Sequence, residues 1–503
     1  MKNNGRLPST RRSPLALTAA FALLGACSSE RLRLPSEPAG QPSFGTSLAK
    51  GTDTKLDVCH LSGSDGQVIN VSTSAWKAHR EHGDYALNWQ VNQQGATGDG
   101  INFTGISDAL SAADSTRRAH GDQASATCRI TVNVAAGDYV GSLHVTGSSL
   151  ERLPLFIGVP DITLRGASVM QVDPDSRATG VSDAGATTLS PDRGLTTTEA
   201  LIVVADDESG YQGNGVVIEG FRFTSGLDPL GTVNGGIGIG ALRVRDLTIR
   251  GNHFDPTMQS ALDFRASSAV IESNFAKRLG APCSFCLSGP GRYDLTGNRL
   301  IDGGFVGIFI APVAVRANWP MGTNSPSTVV LPYDVPAVAG VVAFIVNNEV
   351  RDYRREPKGN GMSLRLVSFI KEASSIAQSS QVTLRQNTLY HNNFAMIVDA
   401  NTPSVSPSQA GDVTLTLEGN AIGPSCRNNV LVSFTRFSRS IGVPPSAESF
   451  LSNSTYRLTL NGDASWSNAW YDNSGGAGNT LVVDGLGIPA GKRTSPSDNP
   501  GGC

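Results

Sequence analysis

The sequence predicts an all-β solenoid, a right-handed parallel β-helix, and three observations carry that expectation. Six times a short apolar strand runs into asparagine and resumes with a bulky apolar residue: I-R-G-N-H-F at 249–254, I-E-S-N-F at 271–275, L-T-G-N-R-L at 295–300, I-V-N-N-E-V at 345–350, L-R-Q-N-T-L at 384–389 and L-E-G-N-A-I at 417–422. The aligned Asn252, Asn274, Asn298, Asn348, Asn387 and Asn420 are separated by 22, 24, 50, 39 and 33 residues, a base period of 22–24 lengthened by insertions. A second alternating strand follows each turn, at 260–266, 283–289, 306–312, 362–368, 394–400 and 429–434. Strands of a β-sandwich do not recur at a fixed coil period, so stacked coils fit and a sandwich does not. Asparagine suits the bend because it tolerates the left-handed region and its side-chain amide can bond along a stack of equivalent turns.

On this coil pattern the chain resembles the pectin-lyase-like β-helix superfamily from about residue 99 to about 485. The resemblance implies the architecture and leaves the reaction open, since one fold hosts many functions. A solenoid needs its apolar end covered. F-T-G-I-S-D-A-L-S-A-A-D from 103 reads as the capping helix, with Thr104 as N-cap and Ile106, Leu110 and Ala113 on one face. Strands at 128–139, 153–158 and 161–166 follow, an order that resembles the opening of pectin methylesterases and implies no catalytic residue.

The chain has 503 residues with 56 glycines, 27 prolines and 17% charged residues, which suits a large β-rich secreted protein. Residues 1–26 read as a signal peptide: Lys2, Arg6, Arg11 and Arg12 precede a twelve-residue apolar core at 13–24, too short for a permanent membrane helix. The following L-G-A-C resembles the bacterial lipoprotein box, which implies that Cys27 is the lipidated first residue and that the chain meets a membrane by lipid anchor only. Residues 27–50, polar and rich in Pro and Ser, read as a flexible tether, and 486–503 as a C-terminal tail. Removing residues 1–26 moves the formal charge from −3 to −7, which argues against nucleic acid as a partner. A monomer in the bacterial cell envelope, at the outer membrane or cell surface, is expected.

Seven cysteines leave six once Cys27 is acylated: Cys59, Cys128, Cys283, Cys286, Cys426 and Cys503. Their even number suits disulfides in an oxidising compartment, with connectivity open. Cys283-x-x-Cys286 lies on a coil strand without a partner C-x-x-C, so a disulfide or buried thiols are expected there.

Residues 51–95 form a small ββα-like Cys/His module: two short strands around a glycine turn, a helix from about Thr73, and Gly83 as its stop. His79 and His82 are three apart on the helix and share a face; Cys59 and His60 are adjacent on a strand and point to opposite faces. The layout is that of a small structural zinc site. The segment also resembles a short Cys-His…His-x-x-His-Gly-Asp module of secreted bacterial proteins. If the first cysteine is a disulfide partner, the ligands are His60, His79 and His82 with Asp84 nearby; if not, Cys59 joins them.

For function, the esterase pattern is incomplete: Asp263-Phe264-Arg265 follows Gln259-Ser260, but the first aspartate is missing. The ordered carboxylates of a polygalacturonase-type hydrolase are absent too. The segment 351–365 supplies Arg351, Tyr353, Arg354, Arg355, Lys358 and Arg365, with His391 and Asp399 one coil on, the best local cluster for contacting a polyanion. Strand phase places Asp263, Cys286, Phe309, Arg365, Ile397 and Leu431 in one outward column, covered by insertions at 312–340, 401–411 and 435–455. The expected function is binding of a polysaccharide, preferably acidic, with cleavage by a lyase or hydrolase left open. The competing expectation is a non-catalytic surface adhesin or scaffold for a protein partner.

Overall fold

The computed structural model describes residues 55–487 with interruptions, the longest at 312–339, 401–410 and 434–454. Residues 1–54 and 488–503, with Cys27 and the tether, lie outside the described residues, as do the insertions expected to cover the outward column. Asp53–Cys503 is one compact unit. Among the described residues, three long sheets contain 14, 10 and 10 strands, and neighbours within each come from successive coils. Pairing between coils is parallel; the final pair at Val482 and Gly487 is antiparallel. The fold is the right-handed parallel β-helix.

From Val217 to Ser433 each coil has three described strands. The first-sheet strands are those read from the sequence, for example Leu247–Arg250, Ala269–Glu272 and Gly291–Thr296, and the third-sheet strands Ser260–Arg265, Cys283–Ser288 and Val306–Ala311 follow later in the coil. Between them lies a short strand of two or three residues right after the asparagine, such as His253–Phe254, Phe275–Lys277 and Arg299–Ile301. These pieces are too short to show alternation, so the sequence did not announce the second sheet.

Alternation sets the core. Leu164, Ile218, Ile249, Ile271, Leu295, Ile345, Leu384 and Leu417 form one unbroken inward column of the first sheet. All eight are buried, each contributing about 1.5–3 kcal/mol by leaving water. Phe223, Phe254, Ala276, Leu300, Val350 and Leu389 do the same on the second sheet. The apolar core runs continuously from Val58 to Val483.

The six asparagines form a ladder. In each interior coil, Nδ2 donates to the next asparagine's Oδ1 and to a carbonyl on the first-sheet strand of the preceding coil, while the backbone N–H donates to that same Oδ1. The chain of bonds runs unbroken from Asn252 to Asn420 at 2.8–3.2 Å. The sequence reading placed the left-handed residue one position late. Gly251, Ser273, Gly297, Asn347, Gln386 and Gly419, each preceding its ladder asparagine, take φ between 53° and 64°. That residue turns the corner, which frees the asparagine to aim its amide along the stack.

The helix Ile106–His120 buries Ile106, Ala109, Leu110, Ala113 and Arg117 against the open end. Thr104 is not its cap. The carboxylate of Glu151 reaches in from 45 residues away and accepts Ile106 N–H and Ser107 N–H, both at 2.7 Å. A side chain on Gly105 would come within 3.3 Å of that carboxylate, so glycine at this position leaves it room.

Ahead of the helix, strands Lys55–Ser62 and Asp65–Ser72 pair antiparallel, and Trp76–Glu81 is helical. The chain then enters the first sheet as Asn88–Val91, parallel to Ile130–Val134. A disulfide joins Cys59 to Cys128, and another joins Cys283 to Cys286.

Replacing Asn298 by Ala removes the acceptor of Asn274 N–H and Nδ2 in a buried corner, an expected loss of at least about 2 kcal/mol. Asn420 is the last rung among the described residues and is half-buried, so water can reach its amide more readily, and Asn420→Ala is expected to cost less than about 1 kcal/mol. Chemical denaturation of both variants measures this; equal losses would contradict the ladder's dependence on burial.

Candidate functional site

Two clusters of chemistry-bearing residues stand out among the described residues. The first lies in the N-terminal module. Cys59 turns into the core and is bonded to Cys128, so its sulfur is not a ligand. This corrects its inclusion in the metal set, and the reason is the strand phase that sends Cys59 inward and His60 outward. His82 is also outside the cluster. The helix ends at Glu81, His82 is its exposed C-cap, and Gly83 at φ 92° folds the chain back so that Asp84 meets the helix instead. Asp84 Oδ2 lies 2.9 Å from His60 Nδ1 and 2.8 Å from His79 Nδ1, and its Oδ1 accepts Leu61 N–H at 3.0 Å. Burial raises the Asp84 pKa, but the hydrogen bonds from His60, His79 and Leu61 together outweigh it and the net direction is down.

The second cluster lies on the outer face of the second sheet and its following corner. Arg299 and Glu349 are register partners there, and Arg351 and Tyr390 form the adjacent outward pair. Glu349 is 3% exposed and accepts from Arg299, from Arg351 Nε at 2.7 Å and from Tyr390 Oη at 3.0 Å. Arg351 also pairs with Asp352, His391 Nδ1 lies 3.7 Å from Asp352 Oδ1, and the Tyr390 and His391 rings meet edge-on at 4.7 Å. Arg278, Asp302, Asp352 and His391 all take φ between 53° and 65°, one per coil, so a second left-handed corner runs beside the patch. Its sequence signal was a polar residue three positions after each short strand begins, which is legible only once the second sheet is known.

The residues named from sequence divide across this corner. His391 is part of the patch. Arg365 sits on the third-sheet strand Met362–Ser368, half-buried between its register partners Phe309 and Ile397. Asp399 pairs through its backbone with Val367 on the same sheet, and its side chain lies outside the described residues. Arg354, Arg355 and Lys358 lie outside the described residues too, in the segment between Arg351 and Met362. Tyr353, counted with the basic segment, belongs to the core: it is 1% exposed, bonds Ser284 Oγ at 2.7 Å, and burial pushes its phenol well above the usual range. The outward column Asp263, Cys286, Phe309, Arg365, Ile397, Leu431 is in register as read.

The buried carboxylates are all paired. Glu219 is held by Arg165 and Arg250, Asp255 by Arg222, Asp263 by Arg265, and Glu349 by Arg299 and Arg351. Glu151 accepts backbone N–H groups and Asp84 faces two histidines. Among the described residues, each of the six buried carboxylates is thus engaged by arginine, histidine or backbone N–H groups.

A scan against protein-family models finds no match for this chain. A search of curated proteins finds none either. Among solved structures, the A-module of Azotobacter vinelandii mannuronan C-5 epimerase AlgE4 is similar at 11% identity, with 76% of this chain and 95% of that one covered and a TM-score of 0.32. The pectate lyase Pel9A is similar at 13% identity over 77% of this chain and 78% of that one, with a TM-score of 0.28. The catalytic domain of a GH87 α-1,3-glucanase is similar at 10% identity over 78% and 69%, with the same TM-score of 0.28. Identities and TM-scores at this level transfer no site, so functional residues are taken from this chain's own geometry.

Glu219 also gives a pH prediction. Burial raises its pKa, but Arg250 and Arg165 together outweigh this and hold it below the ordinary 4.5. A depressed carboxylate contributes stability that is complete above the unfolded value and lost as pH falls through the folded one. The stability gap between wild type and Glu219→Gln is therefore expected to be constant above about pH 5 and to shrink as pH falls below 4.5. Denaturation curves across pH 3–7 measure it; a gap that does not change with pH would contradict the pairing.

Proposed function

We propose that this chain binds an acidic polysaccharide, using the second-sheet patch of Arg299, Arg351, Tyr390 and His391 and the basic residues Arg354, Arg355 and Lys358 that follow Arg351 in sequence. The supporting observation is the Arg299–Glu349–Arg351–Tyr390 network on an outer sheet face, at the coil from which Arg354, Arg355 and Lys358 depart. Parallel coils repeat at about 4.8 Å, so equivalent side chains of successive coils present an evenly spaced row to an extended polymer. Tyrosine offers a flat apolar face with a polar rim, and arginine a planar fork for carboxylates. Within the patch the charges of Arg299 and Arg351 are largely balanced by Glu349 and Asp352, so preference for an anion rests on the three cations of the adjoining segment.

Replacing Arg354, Arg355 and Lys358 together by Ala is expected to abolish retention on a polyuronate column at physiological salt, with thermal stability near wild type. Tyr390→Ala is expected to weaken retention without removing its salt dependence. Retention of the triple variant equal to wild type would place the contact elsewhere, and no retention of wild type would favour a protein partner.

The proposal includes the lipid anchor at Cys27, supported by the L-G-A-C box behind an apolar core. Two acyl signals or more are needed for stable membrane residence, which a diacylated N-terminus supplies. Cys27→Ala is expected to move the protein from the membrane to the soluble fraction on cell fractionation. A variant that stays with the membrane would refute the anchor.

A further inference from the structure

We propose that His60, His79 and Asp84 form a divalent transition-metal site, with Nδ1 of both imidazoles and Oδ2 of the carboxylate as ligands. The three come from separate segments, the strand Lys55–Ser62, the helix Trp76–Glu81 and the turn after Gly83. Their ligand atoms lie within 4.8 Å of one another. A tetrahedral zinc site with bonds of about 2.0–2.1 Å holds its ligand atoms roughly 3.3 Å apart. The N···O separations of 2.9 and 2.8 Å thus need to open by only about half an ångström, measured against that geometry. The carboxylate is fixed: its side chain is 2% exposed and its other oxygen is bonded to Leu61 N–H, the support that metal-binding carboxylates characteristically have. The imidazoles are 40% and 25% exposed, so they can shift, and solvent reaches the remaining coordination position.

The donor set selects the metal class. Two imidazoles and one carboxylate suit zinc, with copper and nickel as competitors, whereas calcium and magnesium require oxygen ligands. The thiolate is excluded because Cys59 is in a disulfide. The role is structural: the ion would pin the outer face of the module, where His60 and His79 meet, while the Cys59–Cys128 bridge pins the inner face. This site is independent of the glycan patch.

The test uses the full-length chain, stripped with chelator and titrated with Zn²⁺ at pH 7.5 against a chromophoric competitor. One equivalent is expected to bind and to raise the thermal midpoint. His60→Gln and His79→Gln are each expected to lose affinity by about tenfold or more, and Asp84→Asn likewise. His82→Ala is expected to behave as wild type. Because Asp84 is buried and its variant can unfold the module, the half-exposed His60→Gln variant, checked for an unchanged metal-free midpoint, carries the decision. Absence of stoichiometric binding by wild type, undiminished affinity in both histidine variants, or loss on replacing His82 would each overturn the site.

Discussion

The asparagine ladder is the constraint on which the solenoid depends. A parallel β-helix must turn sharply three times per coil, and every turn buries backbone groups that no strand can satisfy. Here one side chain per coil solves the problem for its neighbour: its oxygen takes two donors from the preceding coil, and its nitrogen serves the next coil and a strand carbonyl. Since each amide depends on the one below, the coils are locked in register, and with them every inward and outward column. The inward columns close the apolar core, and the outward columns position Arg299 beside Glu349 and Arg351 beside Tyr390.

Above the ladder, in the coil that carries Phe221, the turn takes a different form. Gly220 keeps the left-handed conformation, Phe221 occupies the ladder position, and its N–H donates to Asn252. The ladder therefore begins where an apolar residue can cover its end, and the earlier coils are instead closed by the helix Ile106–His120 and its distant partner Glu151.

Much of this was legible in sequence because the repeat places the same residue type at the same step of each coil. All six asparagines, the strands on either side and the outward column from Asp263 to Leu431 could be read that way. What escaped lacked a repeating or local signal. The second sheet is built of pieces too short to alternate, and the cap of the first helix comes from Glu151, far along the chain. In the module, the spacing of His79 and His82 suggested a shared helical face. The helix ends between them, and the reversal at Gly83 brings Asp84 in, so a tertiary turn overrode helical periodicity. Of the basic segment read from sequence, Tyr353 proved to be core and Arg365 belongs to another sheet, because neither its strand breaks nor its corner has a local signal.

The Cys59–Cys128 bridge closes a loop of 69 residues that contains the rest of the module and the capping helix. Any pull on the chain ahead of Lys55 meets Cys59 within a few residues and crosses to Cys128, two residues before the first-sheet strand Ile130–Val134. Tension thus enters the solenoid through a covalent shortcut that bypasses residues 60–127, the capping helix among them. A cut anywhere between those cysteines would likewise leave the solenoid joined to its leading segment, so the bridge makes the connection both load-bypassing and tolerant of proteolysis.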